Sequence, residues 1–123
     1  MSARGVLTAG ALLMLAAVAL GAFGAHALKT TLGPEMTDVW RTAVQYHAWH
    51  ALALLAVGLA LRQRPSPPFA VAGWLFVAGI ALFSGSLYAL ALTGVRALGA
   101  ITPFGGAALL AGWAAFAWGA WRS

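Results

Sequence analysis

The sequence predicts an all-α integral membrane protein: four helices in an up-down antiparallel bundle, forming one domain over residues 1–123. Hydrophobic residues make up 63% of the chain and charged ones only 7%, whereas a soluble domain carries about 25% charged residues on its surface. The apolar residues fall into four runs, about 6–28, 43–61, 69–92 and 103–121, and none contains Asp, Glu, Lys or Arg. About 20 helical residues cross a bilayer core of about 30 Å, so each run is long enough to span. Runs rich in Ala, Leu and Gly lack the alternation of a membrane barrel, which leaves helices as the elements that satisfy every backbone group internally.

The first run, Val6 to Leu28, follows Arg4 and ends near Ala25-His26-Ala27, a pattern that also fits a secretory signal with a small-residue cleavage site. Its apolar stretch exceeds a signal core of about 7 to 15 residues, and its removal would leave an odd helix count, so it is read as a span. The link from Lys29 to Thr42 holds Gly33-Pro34-Glu35 and both acids of the chain. Pro34 is expected to open a short amphipathic turn before the second span begins at Ala43. Arg62 to Pro68 reads RQRPSPP, a rigid extended link into the third span. The last link ends at Thr102-Pro103, expected as a side-chain cap followed by proline at the first helical position.

The formal charge of +5 does not point to nucleic acid. Arg4, Lys29, Arg41, Arg62, Arg64, Arg96 and Arg122 flank the apolar runs and form no stripe, which is how a bilayer protein places cations against headgroups. Arg4, Arg62, Arg64 and Arg122 share the side of the termini, with Lys29, Arg41 and Arg96 opposite. That bias favours both termini on the cytoplasmic side, or the equivalent matrix side. Trp74, Trp118 and Trp121 suit the interface on the termini side, and Trp40, Tyr46 and Tyr88 the other. Cysteine is absent, which excludes disulfides and thiol chemistry. Small residues four apart, at Gly21 and Ala25, Ala81 and Gly85, and Ala108 and Gly112, are expected to line helix contacts within the bundle or in a homo-oligomer.

Polar residues inside the spans gather at one end. His26 closes the first span; Gln45, Tyr46, His47 and His50 open the second; Ser84, Ser86 and Tyr88 close the third; Thr102 opens the fourth. With alternating helix directions all of these fall in the leaflet opposite the termini, where a shared polar cluster is expected, because polar groups in a membrane are costly unless partnered.

The motifs GAFGAH (Gly21 to His26), YHAWHALAL (Tyr46 to Leu54), FSGSLY (Phe83 to Tyr88) and ITPFGG (Ile101 to Gly106), in this order, resemble the domain of unknown function 423 family of small membrane proteins, found in bacteria with mitochondrial relatives. The resemblance implies a four-helix membrane protein with no established activity. Matching positions include Gly21, Gly24, His26, Tyr46, His50, Ser84, Gly85, Ser86, Tyr88, Thr102, Pro103, Gly105 and Gly106, whereas His47 departs from the family pattern, in which glutamine is more usual. Gly21, Gly24, Gly85, Gly105 and Gly106 are read as helix-contact residues.

His47 and His50 lie three apart on one helix and His26 ends its neighbour, so the three are the candidate ligands of a zinc or copper ion. No carboxylate stands within the spans to orient them, and haem would need opposed histidines, so no metal and no cofactor is expected. The preferred reading is a structural hydrogen-bonded network. Ser84 and Ser86 have no acid to complete a triad, and no inverted repeat or intramembrane acid supports transport. The expected function is non-enzymatic: an accessory or scaffolding component of a membrane assembly. The alternative is a binder of a lipid, quinone or metal through the polar pocket.

Overall fold

The computed structural model describes the whole chain, Met1 to Ser123. Helix α1 covers Ala3–His26, α2 Pro34–Gln63, α3 Pro67–Gly79, α4 Gly85–Thr93 and α5 Thr102–Arg122. Five residues between α3 and α4, Ile80–Ser84, form a π-helical turn, so α3 and α4 make one continuous rod, Pro67–Thr93. A short 3-10 helix, Arg96–Ala100, leads into α5. The result is four rods long and apolar enough to cross a membrane, with no strand.

Local chemistry explains the ends. The Ser2 hydroxyl accepts from the Gly5 N–H and starts α1. Prolines sit in the first turns of α2 and α3, where a missing N–H leaves nothing unsatisfied. Gly94, at φ 72°, takes the left-handed conformation that closes α4. Two expectations are corrected. Pro34 opens no separate turn: α2 is one helix of 30 residues, about 45 Å long against a core of about 30 Å, so its first turns stand outside the membrane. Thr102 is not a cap either; α5 continues from Ile101 in helical backbone without a side-chain cap.

Only 27 of 123 residues are buried, and large apolar side chains such as Leu12, Leu15, Val18 and Leu110 point outward. In lipid such a surface is already solvated by its like, so association rests on close packing rather than on removing apolar area from water. The bundle meets that demand with glycine. Phe69, Phe76 and Phe83 recur every seven residues along the third rod, and opposite them Gly119, Gly112 and Gly105 recur every seven along α5 in the reverse order. The rings of Phe69 and Phe76 occupy the space a side chain at Gly119 and Gly112 would take, and the Phe83 backbone closes against Gly105. Between them Gly79 receives Leu109 from the other side. This contact therefore runs antiparallel. Along α1 and α2 the same opposed progression links Leu7 to Gly58, Gly10 to Leu54, Gly21 to Val44 and Gly24 to Trp40.

Gly21, Gly24 and Gly105 thus lie at close contacts, and Gly106 at an ordinary one with the Phe83 ring, 3.8 Å from where its Cβ would stand. Gly85 does not: no atom lies within 4 Å of its Cβ position, and its neighbour Ala81 is exposed. The π turn inserts an extra residue and so shifts the helical face that simple fourfold spacing would assign.

These neighbours set up a matched test. Gly105→Ala forces a methyl group onto the Phe83 backbone and is expected to lower stability by about 1–3 kcal/mol; Gly106→Ala and Gly85→Ala, with room available, should change it by no more than about 1 kcal/mol, in the stabilising direction. Unfolding curves of the three variants in detergent measure the difference.

Candidate functional site

His50 is 4% exposed and lies near the middle of α2. Its Nε2 is 3.0 Å from the Trp113 indole Nε1, and its Nδ1 is 2.7 Å from the Tyr46 carbonyl oxygen. An indole N–H only donates, so Nε2 must be the acceptor. The proton therefore sits on Nδ1 and is donated to Tyr46. His50 is a neutral imidazole with both nitrogens engaged, and its ring bridges α2 to α5 while packing on Phe76 and on the Trp113 ring.

His47 turns the other way. Its Nδ1 is 2.8 Å from the Tyr88 hydroxyl of α4. Its Nε2 is buried without a hydrogen-bond partner, although the backbone of Leu13 on α1 lies beside the ring. The Ser84 hydroxyl donates to the Ala43 carbonyl oxygen at 2.8 Å, tying the third rod to α2. Ser86 donates its one proton to the Phe83 carbonyl at 2.9 Å, so the 2.6 Å contact with Thr102 is a bond donated by the threonine. That is the role Thr102 has in place of capping. The Trp40 indole N–H donates to the Leu20 carbonyl oxygen at 3.0 Å and joins α2 to α1.

The expected cluster is thus partly assembled. His47 with Tyr88, His50 with the Tyr46 carbonyl, and Ser86 with Thr102 are each brought together, but as separate bridges rather than one pocket. His26 is not among them: it is exposed at the end of α1 and makes no side-chain hydrogen bond. The three histidines form no ligand set, since no group of three metal-binding side chains converges anywhere in the fold. Three residues apart on α2, His47 and His50 diverge to opposite partners. Trp40, expected at the level of the interface, is buried between α1 and α2, 5% exposed. The residue that sequence reasoning missed is Trp113. Its signal was present: a tryptophan in the middle of the span 103–121 has an N–H that lipid cannot satisfy.

Beside the His50 and Trp113 pair a lipid-facing cleft of about 540 Å³ is lined by Tyr46, Phe83, Pro103 and Gly106. It is mainly apolar. The Tyr46 hydroxyl makes no hydrogen bond to protein, while its ring packs 4.5 Å from Phe83.

A family model described as "Protein of unknown function (DUF423)" matches residues 20–106, the stretch that contributes every bridge above except the Trp113 side. The chain belongs to the DUF423 family. It is 50% identical over 105 residues to the UPF0382 membrane protein YwdK of Bacillus subtilis, covering 85% of each chain. It is 47% identical over 104 residues to the UPF0382 membrane protein SH2409 of Staphylococcus haemolyticus, covering 85% of this chain and 84% of the relative. Identity to the UPF0382 inner membrane protein YgdD of Escherichia coli is 45% over 105 residues, covering 85% and 80%. No solved structure matches.

This DUF423 protein has a second, charged layer outside the membrane at the same end. Arg96 donates from Nη1 and Nη2 to the two carboxylate oxygens of Glu35 at 2.9 and 3.0 Å, clamping the link before α5 to the start of α2. The hydrogen bonds from Arg96, and then its charge, hold the Glu35 carboxyl below its ordinary value, so the clamp persists until pH falls through that lowered value. Arg41 donates to Asp38 at 3.1 Å, and Lys29 has no acidic partner.

The His50 and Trp113 bridge is testable by a double-mutant cycle. Trp113→Phe strands the His50 Nε2 acceptor and is expected to cost about 1–3 kcal/mol, whereas Trp113→Phe with His50→Leu removes both partners and should recover most of it. Unfolding in detergent measures the coupling; additive losses would mean that no such bond exists.

Proposed function

We propose that this protein is a non-enzymatic accessory or scaffolding component of a larger membrane assembly. One observation carries the reading: most of the polar side chains inside the bundle are committed to bridges between its own helices. Nucleophilic catalysis needs a free nucleophile, a base and an orienting group converging on open space. Here the Ser84 and Ser86 hydroxyls donate to backbone carbonyls, and both nitrogens of His50 are engaged. Transport finds no intramembrane acid to carry a proton or ion.

The outer faces of α1 and α5, with Leu12, Leu15, Val18 and Leu110 turned outward, offer apolar helix surface that suits neighbouring transmembrane helices as well as lipid. The reading extends to a bacterial inner membrane, by relation to the Escherichia coli relative's name, with both termini cytoplasmic in keeping with the charge bias.

Extraction in mild detergent is expected to release the protein in stoichiometric amounts with a larger complex. A lone chain that retains a small molecule, and loses it on His50→Ala, would reject the scaffold reading. A reporter fused at Ser123 should be active only when it is of the cytoplasmic type.

A further inference from the structure

Between the last turns of α1 and the first turns of α2 lies a cleft of about 390 Å³, bordered by Trp40 and away from the His47, His50, Ser84 and Ser86 bridges. That volume lies within the range of about 300–1,000 Å³ typical of small-ligand sites. Its inner wall runs along Gly21, Gly24 and Ala25 of α1, with Val44 and the indole of Trp40 of α2 packed close against the two glycines. Trp40 has already given its N–H to Leu20, so the floor offers an apolar face and no donor. The rim carries Lys29, Arg41 and the amide of Gln45.

The charges here do not cancel. Of the two acids at this end of the bundle, Glu35 is held by Arg96, and Asp38 takes one nitrogen of Arg41. A guanidinium has five N–H donors, so Arg41 retains donors for another anion. Lys29 follows the end of α1, has no acidic partner and makes no side-chain hydrogen bond. Lys29 and Arg41 both flank apolar runs, at the level where headgroup phosphates lie. A site with cations at its rim and an apolar wall of small residues, Val44 and the Trp40 indole descending toward the membrane fits one molecule that is anionic at one end and apolar at the other.

We infer that this cleft binds the phosphate of an anionic glycerophospholipid in the leaflet opposite the termini, with Lys29 and Arg41 on the phosphate and the glycerol end of the acyl chains against Gly21 and Trp40. Each cation near a membrane surface strengthens anionic-lipid binding by about fivefold. The scaffold reading does not depend on this site, since the cleft shares no hydrogen bond with the bridges that carry it.

The test uses the full-length protein in detergent micelles, titrated separately with dioleoyl phosphatidylglycerol and dioleoyl phosphatidylcholine, with bound lipid counted by native mass spectrometry. The wild type is expected to hold phosphatidylglycerol about twentyfold more tightly, and Lys29→Gln and Arg41→Gln are each expected to lose about fivefold of that preference. Arg62→Gln with Arg64→Gln removes as much charge at the other end of the bundle and should leave the preference unchanged. Lys29 lies in the turn between α1 and α2, so Lys29→Gln is a variant whose folding is not at stake, and circular dichroism checks the others. Equal retention of the two lipids by the wild type, or an equal loss in the Arg62 and Arg64 variant, overturns the assignment. sn-Glycerol 3-phosphate, added in place of lipid, should not displace bound phosphatidylglycerol; complete displacement would mean that the site takes a soluble phosphate and would overturn it as well.

Discussion

Hydrocarbon offers no hydrogen-bond partner, and the arrangement of this protein follows from how each polar group inside the bundle finds one. Backbone groups are satisfied by making every span a helix. The side chains that remain are the Trp40 and Trp113 indoles, the serine and threonine hydroxyls, the Tyr46 and Tyr88 hydroxyls and two histidines. Most are satisfied across helices, so the requirement to pair them also joins the helices. His50 shows the principle most fully, since one imidazole accepts from α5 and donates within α2. His47 shows its limit, because its Nε2 is buried without a partner. Such interhelical bonds are worth about 0.6 kcal/mol on average in a membrane, so several modest bridges, not one strong one, hold this end together.

Those bridges depend on close approach, which glycine provides. The Trp113 indole reaches His50 because α5 lies against the third rod, with Phe76 seated at Gly112, the residue just before Trp113. The π turn at Ile80–Ser84 belongs to the same arrangement. It lets the Phe83 backbone meet Gly105 while Ser84, the next residue, delivers its hydroxyl to Ala43 on α2. Packing and polar pairing are therefore two descriptions of the same contacts. The opposite end, bearing both termini, has the phenylalanine and glycine contacts of Phe69 and Gly119 but no comparable polar bridge between helices.

Much of this was legible in the chain. Four uncharged runs in a sequence with 7% charged residues specify four spans, and the concentration of polar residues toward one end is visible by inspection. Gly105 and Gly24 were read as contact residues from the motifs that hold them and from the close approach that glycine allows. The misjudgements have physical causes. His26 was grouped with the other histidines by its depth along the chain, but depth does not fix the direction of a side chain, and His26 faces away from the bundle. Gly85 was assigned to a contact by regular helical spacing, which a π turn rephases; nothing in Ile80-Ala81-Leu82-Phe83-Ser84 announces that turn. Thr102 was read as a cap as well as a member of the polar cluster, and its hydroxyl goes to Ser86, sixteen residues earlier, and not to the helix end. Trp113 was passed over because tryptophan was looked for at interfaces, although its position mid-span called for an acceptor.

Most of the buried polar groups are committed to bridges between helices, and His50, engaged at both ring nitrogens, is where that commitment is most directly measured. Nitrogen NMR of the protein labelled at histidine, in lipid bilayers, reports which ring nitrogen carries the proton. The bridge requires a neutral His50 protonated on Nδ1, with a through-space correlation from the Trp113 indole proton to Nε2. A His50 protonated on Nε2, or one without the Trp113 correlation, would contradict it.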